Sequence, residues 1–271
     1  PDVNPMPKWP ASLTEDRFVT YEDRIQQPMV VIGWPTDFMG SKHEASLNAL
    51  AQVLGGGSNS ILYQQLVKTQ KAVNAGAFQD CSELACTFYV YAMSGASEQG
   101  KLAQLAKELH EAIATVFTQG VDPQRLDEIS GMAQADAVFA VESVKGKVSQ
   151  LATNQTYFGT PDRLQTELDE ITSVTPASIH QVMKQFLADK PSVTLSVVPK
   201  GKPQLAVSTD TYQVPPTRAV AHQTITDDQL DYRNTPESVD RSVMPAVASA
   251  VSITMPDLYR HYFDNGIELL G

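Results

Sequence analysis

The feature that most constrains the fold is a long helical pattern that begins at Asp122-Pro123. Aspartate is a favoured N-cap, and proline suits the first helical turn, where its missing N–H would have no partner. Apolar residues then recur at spacings of three and four, which predicts one helix of about 35 residues. They are Leu126, Ile129, Ala133, Ala137, Ala140, Val144, Val148 and Leu151. This alanine-rich seam suits close packing against a sheet, although Gly131 and Gly146 weaken the helix.

Five apolar, β-prone runs supply the strands of such a sheet. They cover residues 18–24, 29–35, 72–81, 85–94 and 192–198. The third and fourth runs are separated by Ser82-Glu83 and predict an antiparallel hairpin. Strands mixed with long helices, without strict alternation, predict an α+β fold: a largely antiparallel sheet with helices packed on one face.

Capping residues predict where the other helices begin. Ser41, followed by Glu44, has the pattern of a capping box, and residues 58–70 are predicted to form a second helix. Further helices are predicted to begin after Ser97, Thr160-Pro161 and Thr175-Pro176. In the last of them the inward-facing residues are expected to be Ile179, Val182, Met183 and Phe186.

A glycine run, Gly55-Gly56-Gly57, separates the first two predicted helices, and Ser58 begins the second. A helix N-terminus can hold an anion, but a phosphate-binding loop would need Gly-Lys-Ser/Thr where Asn59-Ser60 stand. The run is therefore interpreted first as a break between two helices. Gly55, Gly56, Gly57 and Ser58 are also the candidate substrate-binding residues.

Charge and hydropathy exclude two classes of partner. The 271-residue chain has 20 Lys and Arg against 31 Asp and Glu, a formal net charge of −11. A duplex-binding protein needs a basic surface to displace counterions, so nucleic acid is not an expected partner. No apolar stretch approaches the roughly 20 residues that span a bilayer, so no membrane partner is expected either.

The two cysteines, Cys81 and Cys86, have neither CxxC spacing nor a second pair to form a zinc site. We expect two buried free thiols, and a local disulfide in an oxidising compartment is the alternative. The compartment itself stays open between the periplasm and the cytoplasm of a bacterium.

The five histidines do not form a recognisable metal motif. Metallopeptidase helices carry H-E-x-x-H or its inverse H-x-x-E-H, which place two histidines on one helical face. His43-Glu44 lacks a second histidine at the required spacing, and so does His110-Glu111. Surface or packing roles are therefore expected for His43, His110, His180, His222 and His261. No catalytic residue and no metal ligand is predicted in this chain.

The two ends of the chain differ from its middle. Residues 1–16 are rich in proline and are interpreted as an incoming linker, followed by a domain over residues 17–203. Residues 204–256 lose hydrophobic periodicity and are interpreted as a second, extended linker. Asn265-Gly266 is a type I′ turn signal, so residues 257–271 are predicted to be the first hairpin of a further domain.

The sequence LNALAQVLGGGSNSILYQQLVKTQKAVNAGAF, residues 47–78, resembles the pitrilysin/insulinase family of zinc metallopeptidases, the inverzincins. In that family a helix ends in Leu-Gly-Gly-Gly and is followed by a Ser-x-Leu-[Phe/Tyr]-x-x-Leu helix and a strand. The resemblance extends over about residues 16–203, with later matches at residues 120–122, 171–176 and 197–199.

The resemblance implies a tandem protein built from repeats of one fold. One repeat carries H-x-x-E-H and zinc, and partner repeats without the motif close a chamber around the peptide. This chain is similar to a partner repeat, so zinc is expected in a sister domain of the parent enzyme and not in this chain. Many partner repeats contact substrate through an Arg and a Tyr, and Val67 and Asn74 stand at those positions here.

The resemblance implies a non-catalytic, chamber-forming domain of a zinc endopeptidase that degrades peptides. Its expected partners are sister peptidase domains of the same polypeptide and the peptide substrate. The alternative is a structural scaffold of the same fold without proteolytic activity, as in relatives that serve respiratory complexes. An autonomous peptide-binding protein is a third hypothesis.

Overall fold

The computed structural model describes residues 7–95, 100–213 and 259–270. The first two ranges contain five strands: β1 Arg17–Asp23, β2 Met29–Pro35, β3 Asn74–Cys81, β4 Cys86–Met93 and β5 Val193–Pro199. They form one sheet in the order β1-β5-β2-β4-β3. Only β1 and β5 are parallel; the other neighbouring pairs in this sheet are antiparallel. The predicted α+β fold with a largely antiparallel sheet is confirmed.

Six α-helices are described in the same ranges. They are α1 Glu44–Gly55, α2 Lys101–Gln119, α3 Pro123–Ala140, α4 Val144–Phe158, α5 Leu164–Thr172 and α6 Pro176–Phe186. Among them α1 packs on β3, and α2 packs on β2 and β4. None of these helices has the length and apolar character that a membrane crossing requires.

The hydrophobic core lies between the helices and one face of the sheet. Strand residues that face the helices are fully or almost fully buried: Val30, Ile32, Trp34, Phe88, Val90 and Ala92. Helix α6 buries Ile179, Val182 and Met183 against the same core, as predicted, and its Thr175 forms a capping box with Ser178. Residues of the opposite face, such as the paired row Leu195, Val31 and Tyr91, are only partly buried.

The prediction of one helix of about 35 residues is wrong, because the chain forms α3 and α4 with a turn between them. The Ser143 side chain accepts a hydrogen bond from Gly146 N at 3.0 Å and caps the start of α4. A Cβ atom at Gly146 would lie 1.9 Å from the Ala140 carbonyl oxygen. The periodicity continues across the break, but glycine and the serine cap allow the chain to turn there.

The first helix begins later than its capping pattern predicts. Ser41 does not cap it: α1 starts at Glu44, and the N-cap residue His43 makes no side-chain cap. A turn in which Ser41 N donates to Phe38 O at 3.1 Å places Ser41 before the helix. The Glu44 carboxylate accepts the N–H of Gly40 instead.

The second predicted helix, over residues 58–70, is also wrong as drawn. The helical conformation there is shorter than predicted: it begins at residue 61 and continues as a π-helical turn over Tyr63–Val67. Ser60 N donates to Gly57 O at 3.2 Å in a turn that uses the first residues of the predicted helix. Gln70 has a φ of 60°, which ends the helical conformation. The helix start predicted at Ser97 lies outside the described residues, and α2 begins at Lys101.

Cys81 and Cys86 form a disulfide, so the expectation of two free thiols is wrong. The β3–β4 register places Cys81 directly opposite Cys86, with their Cα atoms 4.2 Å apart. Ser82 N donates to Ala85 O at 3.0 Å. The hairpin therefore turns through four residues, not through Ser82-Glu83 alone, and this longer turn brings the two sulfurs together.

The chain divides into two units, Pro1–Pro216 and Thr217–Gly271. In the first unit, packing continues beyond residue 203, since Leu205 is buried.

The second unit contains the predicted hairpin, with strands β6 Arg260–Tyr262 and β7 Glu268–Leu270. Gly266 has a φ of 83°, whereas Asn265 is not left-handed, so the predicted type I′ turn is wrong. Phe263 N donates to Ile267 O across a three-residue loop that uses glycine alone for the left-handed position. That this hairpin begins a further domain stays a prediction.

Candidate functional site

A cleft of about 840 Å³ lies beside the β3 edge of the sheet. Helix α1 and strand β3 form one wall, and helices α3, α4 and α5 form the other. Helices α3 and α4, which are joined by a turn at residues 141–143, both line the cleft. The polar and charged residues that line it include Glu44, Gln79, Asp136, Gln150, Arg163, Glu167 and Glu170.

The cleft carries more negative than positive charge. Among the described residues that line it, Arg163 is the single cation. Arg163 binds Glu170 through contacts of 2.8 and 2.9 Å, and its guanidinium lies 4.0 Å from the centre of the Phe158 ring. Burial raises the pKa of Glu44, and the nearby carboxylates of Glu170 and Glu167 raise it further. The Gly40 N–H and Arg163 oppose this shift of the Glu44 pKa.

Two buried amide oxygens on the cleft wall, Gln79 Oε1 and Gln150 Oε1, have no hydrogen-bond partner among the residues that the structure describes. Their amide nitrogens are engaged, since Gln79 Nε2 donates to Cys81 Sγ at 3.1 Å and Gln150 Nε2 donates to Glu167 at 3.0 Å. An unpaired buried acceptor costs free energy, so both positions favour a ligand or water that donates an N–H or O–H.

The two edges of the sheet differ in whether another segment bonds to them. Segment 210–212 covers the β1 edge: Thr211 N donates to Phe18 O at 3.0 Å, and Phe18 N donates to the Thr211 hydroxyl at 3.0 Å. At the other edge, Ser82 N donates to Ala85 O. Counted back along β3 from this hydrogen-bonded position, the alternate residues Ala77 and Gln79 direct their N–H and C=O away from β4. Within the described ranges no backbone group bonds to them there.

The predicted substrate-binding residues Gly55–Ser58 lie at the end of α1 and do not line the cleft. Gly55 packs so closely on β3 that a Cβ atom would lie 2.0 Å from Ala77 N. Gly57 has a φ of 72° with no neighbour within 4 Å of its side-chain position, and Ser58 is exposed. Gly55 thus has a packing role, and the exposed pair Gly57 and Ser58 is left free to contact a ligand.

The histidines do not converge on a metal position. His43 Nδ1 lies 2.7 Å from Asp37 Oδ2, and its ring packs edge-on against Phe186. His110 packs edge-on against Trp34, and burial lowers its pKa, whereas His180 stacks on Phe117. His222 lies outside the described residues. Among the residues described, no three His, Cys, Asp or Glu side chains are grouped to hold a metal ion, so zinc does not fit this part of the chain.

The two positions where partner repeats carry Arg and Tyr do not line the cleft either. Val67 is half-buried against the core, and Asn74 is exposed at the start of β3. Sequence reasoning missed Gln79 and Arg163, which the cleft contains. No local pattern marks them, because the cleft forms only when five separate elements are packed together.

The model of the peptidase M16 inactive domain matches residues 1–130. Among curated relatives, an uncharacterized zinc protease of Bacillus subtilis is 21% identical over 68% of this chain and 44% of its own length. An uncharacterized zinc protease of Streptomyces coelicolor is 21% identical over 64% of this chain and 37% of its own length. The chain thus spans less than half the length of these relatives.

Solved structures share the fold at low sequence identity. A protease from Helicobacter pylori has a TM-score of 0.60 and 20% identity, over 69% of this chain and 46% of that chain. A peptidase M16 inactive domain from Pseudomonas fluorescens has a TM-score of 0.61 and 15% identity, over 73% and 46%. The resemblance to zinc metallopeptidases is confirmed: residues 1–130 match the inactive domain of peptidase M16, and a solved inactive domain of that family shares the fold.

Proposed function

We propose that this chain forms a non-catalytic wall of the peptide-binding chamber in a zinc endopeptidase that degrades peptides. The inactive-domain match supports the absence of catalysis, and the zinc-protease names of the relatives support a proteolytic parent. In this proposal zinc is bound in a sister domain, where it would polarise the scissile carbonyl and activate water. The residues described here supply binding surface and no proton-transfer group.

The observation that carries the proposal is the open edge of β3 beside the cleft. An exposed strand edge pairs readily with another extended chain, and proteins usually cover such edges. Here segment 210–212 bonds to the β1 edge, whereas no backbone group in the described part of the chain bonds to the outward N–H and C=O groups of Ala77 and Gln79 beside the cleft. Addition of an extended peptide to β3 would satisfy these groups and bury apolar peptide side chains in the cleft.

The exposed Gly57 and Ser58 are proposed as further peptide contacts. They lie at the end of α1, next to β3, where Gly55 approaches Ala77. A peptide that continues along β3 beyond the cleft would pass this end of the helix. The Ser58 hydroxyl and the backbone of Gly57 could then donate hydrogen bonds to it.

The proposed protein partner is a sister domain of the same fold, docked on the open face of the sheet. The row Leu195, Val31 and Tyr91 crosses this face, and the exposed Tyr21 lies on it too. Apolar residues left partly exposed over several strands favour an interface. The relatives are more than twice as long as their matched part, which leaves room for such a domain.

A structural scaffold is the second candidate function. One structure with this fold is described as complex III2 from Candida albicans, with a TM-score of 0.59 and 9% identity over 68% of this chain. The two functions differ in the parent sequence: an H-x-x-E-H motif in a sister domain favours the protease, and its absence from every repeat favours the scaffold.

Peptide binding tests the proposal. The fluorescence anisotropy of a labelled, unstructured peptide is expected to rise on titration with the full chain. Two versions of the same peptide, N-methylated at alternate residues in one register or in the other, provide the matched control. A peptide strand on β3 requires that one version loses binding and the other retains it, since only alternate N–H groups face the strand. Equal binding by both versions, or no binding by the unmodified peptide, would exclude strand addition.

A further inference from the structure

The tip of the β3–β4 hairpin joins segments that are distant in sequence. Cys86 N donates to Asp37 O at 2.7 Å, and Thr36 N donates to Cys86 O at 2.9 Å. Through these two bonds the loop after β2 is attached to the first residue of β4. Cys86 itself is bound to Cys81, the last residue of β3. The disulfide therefore lies where both strands and the loop meet.

Ser82, in the hairpin turn, is bonded to the same loop. Met39 N donates to Ser82 O at 3.2 Å. We call residues 36–44 and 79–88 together the tip junction. Its loop ends at Glu44 on the cleft wall, and Asp37 binds His43 in the last residues before α1.

The tip junction also contacts the cleft from the strand side. Gln79 lines the cleft, and its Nε2 donates to Cys81 Sγ at 3.1 Å. Two routes therefore lead from the disulfide to the cleft. One runs from Cys81 to Gln79, and the other runs from Cys86 through its hydrogen bonds to the loop that ends at Glu44. Short contacts therefore link the sulfurs to residues that line the cleft.

We propose that Cys81–Cys86 is a thiol–disulfide exchange site, and that a dithiol reductant acting on it loosens the tip junction. Cys86 is 2% exposed, whereas Cys81 is only partly buried, so Cys81 Sγ is the sulfur that an incoming thiolate reaches. The pair closes the last position of the strand ladder, so its opening removes the covalent link at the hairpin end and leaves only non-covalent contacts there.

The exchange is a two-electron reduction by an external dithiol. A thiolate of the reductant attacks Cys81 Sγ, the S–S bond breaks, and Cys86 leaves as a thiolate that takes up a proton. The second thiol of the reductant then attacks the mixed disulfide, and Cys81 leaves as a thiol. The reductant ends as a cyclic disulfide, and the two protons of its thiols are transferred to the two cysteines.

Hydrogen–deuterium exchange of the full chain, with and without dithiothreitol, measures the effect directly. Amides of the tip junction are expected to exchange about tenfold faster after reduction, because the short covalent loop no longer restricts local opening. Strand β5 serves as the internal reference, and its exchange is expected to stay unchanged. The variant Cys81→Ser/Cys86→Ser should show the faster exchange already without reductant and no further response to it.

Alkylation of the wild-type chain supplies the second measurement. Native chain treated with dithiothreitol and then iodoacetamide is expected to gain two alkyl groups, and untreated chain none. Failure to alkylate without a denaturant would overturn the exchange site. Alkylation without faster exchange in residues 36–44 would overturn the coupling to the loop. Both readouts use wild-type protein, so they decide the matter even where the double variant does not fold, and neither requires peptide binding.

Discussion

His43 Nδ1 lies 2.7 Å from Asp37 Oδ2, and this contact fixes the start of α1 to the loop that follows β2. Both side chains are mostly buried, with 11% and 18% of their surfaces exposed. The contact occupies one ring nitrogen of His43, which is followed by Glu44 as the first histidine of an H-E-x-x-H motif is followed by glutamate. In this chain His43 therefore has a structural role.

Removal of this contact is expected to destabilise the chain. Asp37→Ala and His43→Ala should each lower the free energy of unfolding, with a coupling of about 1 kcal/mol in a double-mutant cycle. Urea unfolding followed by circular dichroism measures all four proteins. A parallel cycle of His43→Ala with Asp127→Ala, an exposed residue of α3, should show no coupling. Equal couplings in the two cycles would contradict a specific contact.

The break between α3 and α4 can be tested with two glycines. Gly146→Ala is expected to cost about 1–3 kcal/mol, because its Cβ would collide with the Ala140 carbonyl. Gly131→Ala in α3 has open space and should stabilise the chain by about 0.5–1 kcal/mol through higher helix propensity. Thermal unfolding of both variants compares them. Stabilisation by both substitutions would instead support one continuous helix.

Glu44 makes stability depend on pH. Burial raises its pKa above 4.5, so the folded chain holds this proton more tightly than the unfolded chain. The contribution of Glu44 to the free energy of unfolding therefore falls as pH rises through the interval above 4.5. Glu44→Gln should gain stability relative to wild type as pH increases across that interval, measured by urea unfolding. The control variant Glu111→Gln, on the exposed side of α2, should show the same dependence of unfolding free energy on pH as wild type. If Glu44→Gln also shows the wild-type dependence, the prediction is contradicted.

The proposed contact of Ser58 with peptide predicts a binding defect without a folding defect. Ser58→Ala should weaken binding of the labelled peptide about three- to tenfold, the usual value of one hydrogen bond. Thr209→Ala is the control, since it is equally exposed at the far edge of the sheet. Anisotropy titrations compare the two. Unchanged affinity in Ser58→Ala would remove this residue from the peptide site.

The strands could be predicted because each is a short apolar run bounded by turn residues. The fold class follows from their order, and the capping box at Thr175 follows from local spacing. Hydrophobic periodicity could not locate the break at residues 141–143, since α4 continues the same spacing after the turn. Likewise, the N-cap of α1 is His43 and not the predicted Ser41, because a turn that begins at Phe38 places Ser41 before the helix. No apolar pattern in the sequence marks this turn.

The candidate site could not be predicted from the sequence, because it depends on strand order. Nothing local distinguishes β3 as an open edge from β1 as an edge that segment 210–212 covers. The cleft brings Gln79 close to α4 and α5, whose residues lie about 70–90 positions later in the chain. The disulfide was only the alternative in the sequence analysis, because the predicted two-residue turn does not align Cys81 with Cys86 and the four-residue turn does.

Mass spectrometry of a bound peptide tests the central claim most directly. The labelled peptide is held with an excess of the full chain and equimolar zinc, and its mass is followed over time. We predict that the peptide stays intact, because the described residues do not group into a zinc site. Cleavage products that form with zinc and disappear on addition of a chelator would contradict the account.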